Sequence, residues 1–124
     1  MNGYAKYLKN TVDVVLPAAE ATDIYERVSC GQAAVVTFEL ANTGANPLTA
    51  FSLQIRAHPD ATYQTKLSSW AAAGAVLLFV SGAPSALAGG GVCTCQVRLD
   101  GVFSYKFVGT STLGTSANIK LIEA

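Results

Sequence analysis

Apolar and polar residues alternate with a period of two through most of the 124-residue chain. This period is typical of strands that bury one face, because successive side chains of a strand point to opposite sides of a sheet. Seven or eight short strands separated by turn residues predict an all-β fold, a single β-sandwich of the immunoglobulin-like or jelly-roll type. The alternating segments lie near residues 12–16, 21–28, 34–40, 51–57, 93–99, 103–107 and 117–121, and the continuously apolar residues 76–80 are interpreted as a buried strand or an extended connection.

Two pairs of these segments predict β-hairpins. Apolar residues alternate through 34–40 and again through 51–57, and the residues between them, 42–47, are rich in types that tolerate turn geometry. Asp100 and Gly101 form a dipeptide that is common in two-residue hairpin turns. We therefore expect each segment to pair with its neighbour in sequence at these two turns.

One segment departs from the period of two and predicts one short helix over the core. The helical spacing i, i+3, i+4 and i+7 is found at Leu67, Trp70, Ala71 and Gly74. The densest apolar part of this region, residues 70–80, is about half the length of a membrane-spanning helix. Glycine and proline residues follow it, so the sequence favours a core segment and a loop over a membrane span.

The chain is interpreted as one domain, residues 1–124, because no linker, repeat or low-complexity tract divides it. Residues 1–10 carry Tyr4, Tyr7 and two lysines. Two interpretations fit them equally well: an N-terminal arm that docks onto a partner subunit, and a first edge strand. The first residues lack the apolar segment of a secretory signal.

The chain carries few charges, and they balance. Charged residues make up 13% of it, with 8 basic and 8 acidic residues and a formal net charge of zero, whereas soluble domains carry about 25%. Nucleic-acid binding and polybasic membrane anchoring both need clustered Lys and Arg, so we expect neither partner. A neutral, charge-poor surface favours association, and we expect a homo-oligomer.

No residue pattern indicates catalysis, a metal or a cofactor. His58 is the only histidine, and no Ser or Cys stands in a nucleophile motif, so we expect no enzyme activity. Cys30, Cys93 and Cys95 lack the spacing of a zinc site. Cys93 and Cys95 are interpreted as small core residues, and Cys30 is placed in a turn. A disulfide from Cys30 to either of the others remains an alternative.

Two segments carry a resemblance to a known class of proteins. The first reads FELANTGANPLTAF over 38–51 and continues as QIRAHPDA over 54–61. The second comprises LAGGG over 87–91 and the strands around DGVF at 100–103. They resemble small β-sandwich structural proteins of tailed bacteriophage virions. The Asn-Thr-Gly turn is also similar to that of extracellular immunoglobulin-like repeats, although this chain has no tandem copy.

The phage resemblance implies a non-enzymatic virion protein made in the host cytoplasm. It implies a capsid decoration or cement protein that binds and stabilises the assembled shell, with the major capsid protein or other virion proteins as partners. The alternatives are a neck, tail or fibre-base protein, and a lone sandwich module that recognises a glycan or a surface protein. Interface centres are rich in aromatic residues, so the candidate interface residues are Tyr4, Tyr7, Trp70 and Phe79. For Trp70 and Phe79 a core position is favoured.

Overall fold

The computed structural model describes residues 6–28, 30, 34–68, 75–80, 86–99 and 102–124. In these residues the chain forms nine strands and no helix, in two antiparallel sheets, which confirms the all-β sandwich. The strands are β1 (Lys6–Leu16), β2 (Thr22–Arg27), β3 (Val35–Asn42), β4 (Ala50–Arg56), β5 (Gln64–Ser68), β6 (Ala75–Val80), β7 (Val92–Arg98), β8 (Ser104–Thr110) and β9 (Thr115–Glu123).

The core lies between the inner faces of the two sheets. One sheet has five strands in the order β1-β9-β3-β7-β6, and the other has four in the order β2-β8-β4-β5. Phe38 of the five-stranded sheet contacts Phe51 and Phe107 of the four-stranded sheet, at ring-centroid distances of 5.7 and 4.8 Å. All three rings are almost fully buried, and such aromatic contacts stabilise beyond the area they bury.

The strand pairs are nested, and this pattern identifies the type of sandwich. β1 pairs with β9, β2 with β8, β3 with β7 and β4 with β5. These pairs form one long antiparallel ribbon folded over into two sheets, which is the arrangement of a jelly roll. β6 lies outside the ribbon and extends the five-stranded sheet beside β7. Of the two sandwich types that the sequence left open, the structure has the jelly roll.

The hairpin predicted from 34–40 and 51–57 is wrong. The first segment belongs to β3 and pairs with β7 and β9, whereas the second belongs to β4 and pairs with β5 and β8. The residues between them cross from one sheet to the other. The predicted inward faces are right, since Phe38 and Phe51 are buried against each other across the sandwich.

The hairpin predicted at Asp100 and Gly101 is also wrong. β7 before this dipeptide lies in the five-stranded sheet, and β8 after it lies in the four-stranded sheet. The two residues themselves lie outside the described part of the chain. Both errors have one cause: in a nested ribbon, most strands that follow each other in sequence lie in opposite sheets.

The predicted short helix is not found where the sequence placed its start. Leu67 lies in β5, where it pairs with Leu53 of β4, and residues 69–74 lie outside the described residues. The sequence missed β5 because this edge strand, QTKLS, has no alternating apolar pattern. The part of the chain that the structure describes contains no helix long and apolar enough to cross a membrane.

The N-terminal segment is described from Lys6 onward. Its backbone pairs with the end of β9, from Lys6 opposite Glu123 to Asn10 opposite Ile119. The register shifts between Asn10 and Val14, and normal pairing resumes from there. Docking by residues 1–10 stays a prediction.

Candidate interaction surface

The outer face of the five-stranded sheet presents small and medium-sized side chains. We call it the five-strand face and define it by the outward residues of its three central strands. In each of these strands, outward residues alternate with buried ones. The face comprises Val35, Thr37, Glu39, Ala41, Val92, Thr94, Gln96, Arg98, Ser116, Asn118, Lys120 and Ile122.

Nine of the twelve residues of the five-strand face are uncharged. Glu39, Arg98 and Lys120 are its charged residues, and Lys120 Nζ lies 3.7 Å from Glu39 Oε1. Gln96 Nε2 donates a hydrogen bond to Thr37 Oγ1 at 3.2 Å. Interface centres are depleted in charge, so the composition of this face suits contact with another protein.

Two of the four candidate interface residues are placed by register on this sheet. Tyr7 of β1 pairs with Ile122, and Phe79 of β6 pairs with Thr94. Directly paired residues of antiparallel strands belong to the same face of a sheet. Tyr7 and Phe79 therefore occupy positions in register with the five-strand face, on opposite edge strands about 19 Å apart at the usual strand spacing.

The other two candidates are not placed. Tyr4 and Trp70 lie outside the described residues. The interface role of all four residues stays a prediction, and so does the core position that the sequence favoured for Trp70 and Phe79.

The outer face of the four-stranded sheet differs, because a network of hydrogen bonds and cations is centred on one tyrosine there. Tyr63 Oη donates to Glu26 Oε2 at 2.5 Å and lies 3.0 Å from Ser104 Oγ. Arg56 Nε donates to the same Ser104 Oγ at 3.2 Å. Burial, and then the hydrogen bond to Glu26, raise the pKa of the Tyr63 phenol.

The Tyr63 ring is covered by cations. The Arg56 guanidinium carbon lies 5.0 Å from the ring centroid, and Lys106 Nζ lies 4.7 Å from it. Lys106 also pairs with Asp23 at 3.6 Å. Both cations are therefore close to the π system of the Tyr63 ring, as in cation–π contacts.

A buried ionic network joins the two sheets at one end of the sandwich. Arg27 of β2 donates from Nε and Nη2 to the two carboxylate oxygens of Glu123 in β9, at 3.0 and 3.2 Å. The Tyr105 hydroxyl of β8 donates to Glu123 Oε2 at 2.5 Å. Glu123 is only 4% exposed. The hydrogen bond to Glu123 raises the pKa of Arg27 against the opposing effect of burial, and burial raises the pKa of Tyr105.

Asn42 joins three connecting segments at the opposite end. Its Nδ2 donates to the carbonyls of Asn46 and Leu87, at 2.8 and 2.9 Å. Its Oδ1 accepts from the Gly44 amide and from Thr115 Oγ1. A Cβ atom at Gly44 would lie 2.8 Å from the Ser116 backbone nitrogen, so the segment packs too closely there for any other residue. This end of the sandwich is therefore built around one buried amide.

Sequence reasoning missed both networks. Glu123 follows the buried positions 117, 119 and 121 of β9 in the same alternation. An acidic residue at a position predicted to face inward could have indicated a buried ion pair. Asn42 lies in the segment that was interpreted as a turn, and no pattern in the sequence marked it as buried.

Cys93 and Cys95 are buried and free, as their core interpretation requires. Cys30, which the sequence placed in a turn, is also buried and free, so no disulfide joins the three. The described residues include no group of three or more His, Cys, Asp and Glu side chains that could hold a metal ion. His58 is 68% exposed, and its Nδ1 accepts a hydrogen bond from the Asp60 amide.

The thiol of Cys93 makes the stability of the fold sensitive to alkaline pH. Burial raises its pKa from the usual 9.0 to about 12. Below pH 9 the thiol is protonated in both states, whereas between about 9 and 12 only the unfolded chain loses the proton. The free energy of unfolding therefore falls as pH rises through this window.

We expect urea titrations under reducing conditions to show this loss. Between pH 8 and pH 10, the wild type should lose about 1 kcal/mol more than a Cys93→Ala variant, which lacks the ionising group. Equal losses in the two proteins would contradict the assignment. Tyr105 and the other buried thiols are common to both and cancel in the comparison.

Comparisons with known proteins give the fold and no family. No protein-family model and no curated protein matches the chain. The chain is similar to the crystal structure of PirA, with 9% identity and a TM-score of 0.56 over 100% of this chain and 96% of that one. It is also similar to the SPBc2 prophage-derived protein YomS, with 13% identity and a TM-score of 0.58 over 97% and 92%.

A third solved structure comes from Bacillus endospore appendages, described as disulfide-linked pili. It has 18% identity and a TM-score of 0.46 over 99% of this chain and 91% of that one. That score is too low to support an argument. The likeness to PirA and YomS concerns the fold alone.

Proposed function

We propose that the chain is a non-enzymatic structural protein of a bacteriophage virion. Its finer role in this proposal is capsid decoration: it binds the assembled shell, formed by the major capsid protein, and stabilises it. The observation that carries the proposal is the five-strand face, where nine of the twelve outward residues are uncharged and two of the three charged ones pair with each other. Two further observations support it: the segments that resemble phage virion proteins, and the similarity of the fold to that of the prophage-derived protein YomS.

Cementing is a mass-action effect in this proposal. A protein that binds assembled shells and not free subunits stabilises the shell by its binding free energy, multiplied over many sites. Contact requires a surface of the right shape and low charge, and no catalytic group. A stable interface buries about 800 Å² on each partner. In this proposal the contact includes the positions of Tyr7 and Phe79, which are in register with the five-strand face on its two edge strands.

The test uses shells of the phage whose genome encodes this chain, assembled without it. Purified protein should sediment with these shells and raise the temperature at which they fall apart in calorimetry. If it neither binds nor changes that temperature, the decoration role is wrong. If it binds isolated necks or tails instead, it is a structural protein at another position in the particle.

A matched pair of variants tests which face makes the contact. Thr37→Arg places a bulky charge at the middle of the five-strand face, and Ser52→Arg places the same charge on the outer face of the four-stranded sheet. We expect Thr37→Arg to weaken shell binding at least tenfold, about 1.4 kcal/mol, and Ser52→Arg to bind like the wild type. The reverse order would assign the contact to the four-stranded sheet. Both variants must first show wild-type thermal unfolding.

A further inference from the structure

The described part of the fold has four edge strands. β1 and β6 end the five-stranded sheet, and β2 and β5 end the four-stranded one. An edge strand presents backbone N–H and C=O groups that can pair with a strand of another molecule. Proteins block such pairing with charged side chains and with register shifts that twist the edge away.

Three of these edges carry charges along the strand. All four described edge strands, β6 included, show a register shift in the pair with their neighbour, so it is the charges that distinguish these three. The charged residues are Lys6, Lys9 and Asp13 in β1, Asp23, Glu26 and Arg27 in β2, and Lys66 in β5. These edges have the features that prevent a second strand from joining the sheet.

β6 is the one described edge without a charge. Its sequence, AVLLFV, is apolar at all six positions, and no charged residue occurs in the chain between Lys66 and Arg98. Such a strand at a sheet edge would promote association in solution unless another strand covers it. The contrast with the other three edges indicates that this edge is covered in the functional protein.

A second copy of this chain is the partner that fits. When two copies of a strand pair antiparallel about a two-fold axis, each residue faces a residue of the same strand, so any cluster of like charges would repel. β6 carries no charged residue, so two copies of it can pair without repulsion between like charges. The pairing also breaks no existing ion pair. The charged edges of the same chain are poor partners for it.

We propose that β6 of one copy pairs antiparallel with β6 of a second copy. The dimer has a continuous ten-stranded sheet, and the five-strand faces of the two copies lie side by side. This inference names the contact behind the homo-oligomer that the sequence predicts, and only its consequence for shell binding rests on the proposed function. It also doubles the surface available to a shell.

The first experiment measures solution mass by light scattering across a wide concentration range. The wild type should reach twice the chain mass of 12.8 kDa. Val76→Lys adds a charge to the edge strand and should weaken dimerisation at least tenfold. Thr37→Lys is the matched control, because Thr37 lies in the same row of the sheet, through Gln96, but on an inner strand.

Each outcome of this comparison supports or overturns the proposal. A dimer lost in Val76→Lys and kept in Thr37→Lys supports pairing through the edge. If both variants are monomeric, the dimer contact lies on the five-strand face and not at the β6 edge. If the wild type stays monomeric at the highest concentration, the protein does not form this dimer. Either of these two results overturns the proposal.

The second experiment does not depend on a disruptive substitution. A cysteine is introduced at each β6 position in turn, and the proteins are oxidised under native conditions, alone and in mixtures of two variants. The three native thiols are buried, so we expect them not to form disulfides under these conditions. We expect disulfide-linked dimers from positions near the middle of the strand, where a two-fold axis brings the copies within bridging distance. Gln96→Cys, one strand away from the edge, is the control, and cross-linking there alone would overturn the proposal.

Shell binding separates this inference from the proposed function. If the cross-linked dimer forms and does not bind shells, the virion role fails and the edge pairing stands. If shells bind wild type and Val76→Lys alike and light scattering shows only monomer, the edge pairing fails and the virion role stands.

Discussion

Replacing Arg27 with methionine is expected to lower the free energy of unfolding by roughly 3 kcal/mol, which is the lower end of the range for breaking a buried ion pair. The variant leaves the Glu123 carboxylate, 4% exposed, without its cation and with only the Tyr105 hydroxyl as a partner. The lower end applies because the Arg27 side chain keeps 19% of its surface exposed. Urea titration at pH 7 measures the loss.

Two further variants show whether burial causes this effect. Lys120→Met breaks the exposed pair with Glu39 and should cost less than about 1 kcal/mol, because both side chains there are roughly half exposed. Arg27→Met combined with Glu123→Leu removes both charges and should recover part of the loss, because no buried charge is left unpaired. The recovery is incomplete because the buried Tyr105 hydroxyl loses its acceptor. Equal losses for Arg27→Met and Lys120→Met would refute the account of the buried network.

Asn42→Ala is expected to cost about 3 kcal/mol, since it leaves several buried polar groups without partners at once. The substitution removes the donor to two carbonyls and the acceptor for the Gly44 amide and the Thr115 hydroxyl. Three connecting segments then lose the group that joins them, so we also expect faster amide hydrogen exchange around residues 43–47 and 87–91. Denaturant unfolding and hydrogen exchange measure the two effects.

Asn118→Ala is the matched control for Asn42→Ala. Asn118 is also an asparagine in the five-stranded sheet, but its amide donates one hydrogen bond, to the exposed Asp13. It should cost less than about 1 kcal/mol. If both variants lost the same stability, the buried amide would not be what holds this end of the sandwich together.

The candidate interface shows what sequence reasoning could reach. Aromatic residues in a charge-poor chain pointed to Tyr7 and Phe79, and the register later placed both in line with one face of the five-stranded sheet. Nothing in the sequence indicated that they share that face, because they belong to strands at opposite edges and are separated by most of the chain. The contrast between the two outer faces likewise depends on Tyr63, Glu26 and Lys106 meeting in space.

The buried networks depended still more on tertiary structure. Arg27 and Glu123 are 96 positions apart in the sequence. Taken separately, each is a charged residue near the end of a strand, and nothing beside it indicates a buried partner. Only the nesting of β2 beside β8 and of β9 in the opposite sheet brings them together. A local pattern carries no information about such a partner, because the partner's identity depends on how the ribbon folds.

In four of the nine described strands, the sequence by itself determined which residues face the core. The period of two in β3, β4, β7 and β9 predicted inward residues, and Phe38, Leu53, Cys95 and Ile119 among them are buried. It did not determine which strands pair, and both predicted hairpins failed. The physical reason is that alternation records only that one face is buried, and the inner faces of both sheets are apolar in the same way. Pairing is decided when the folded ribbon closes its core, and that closure brings together residues far apart in the chain.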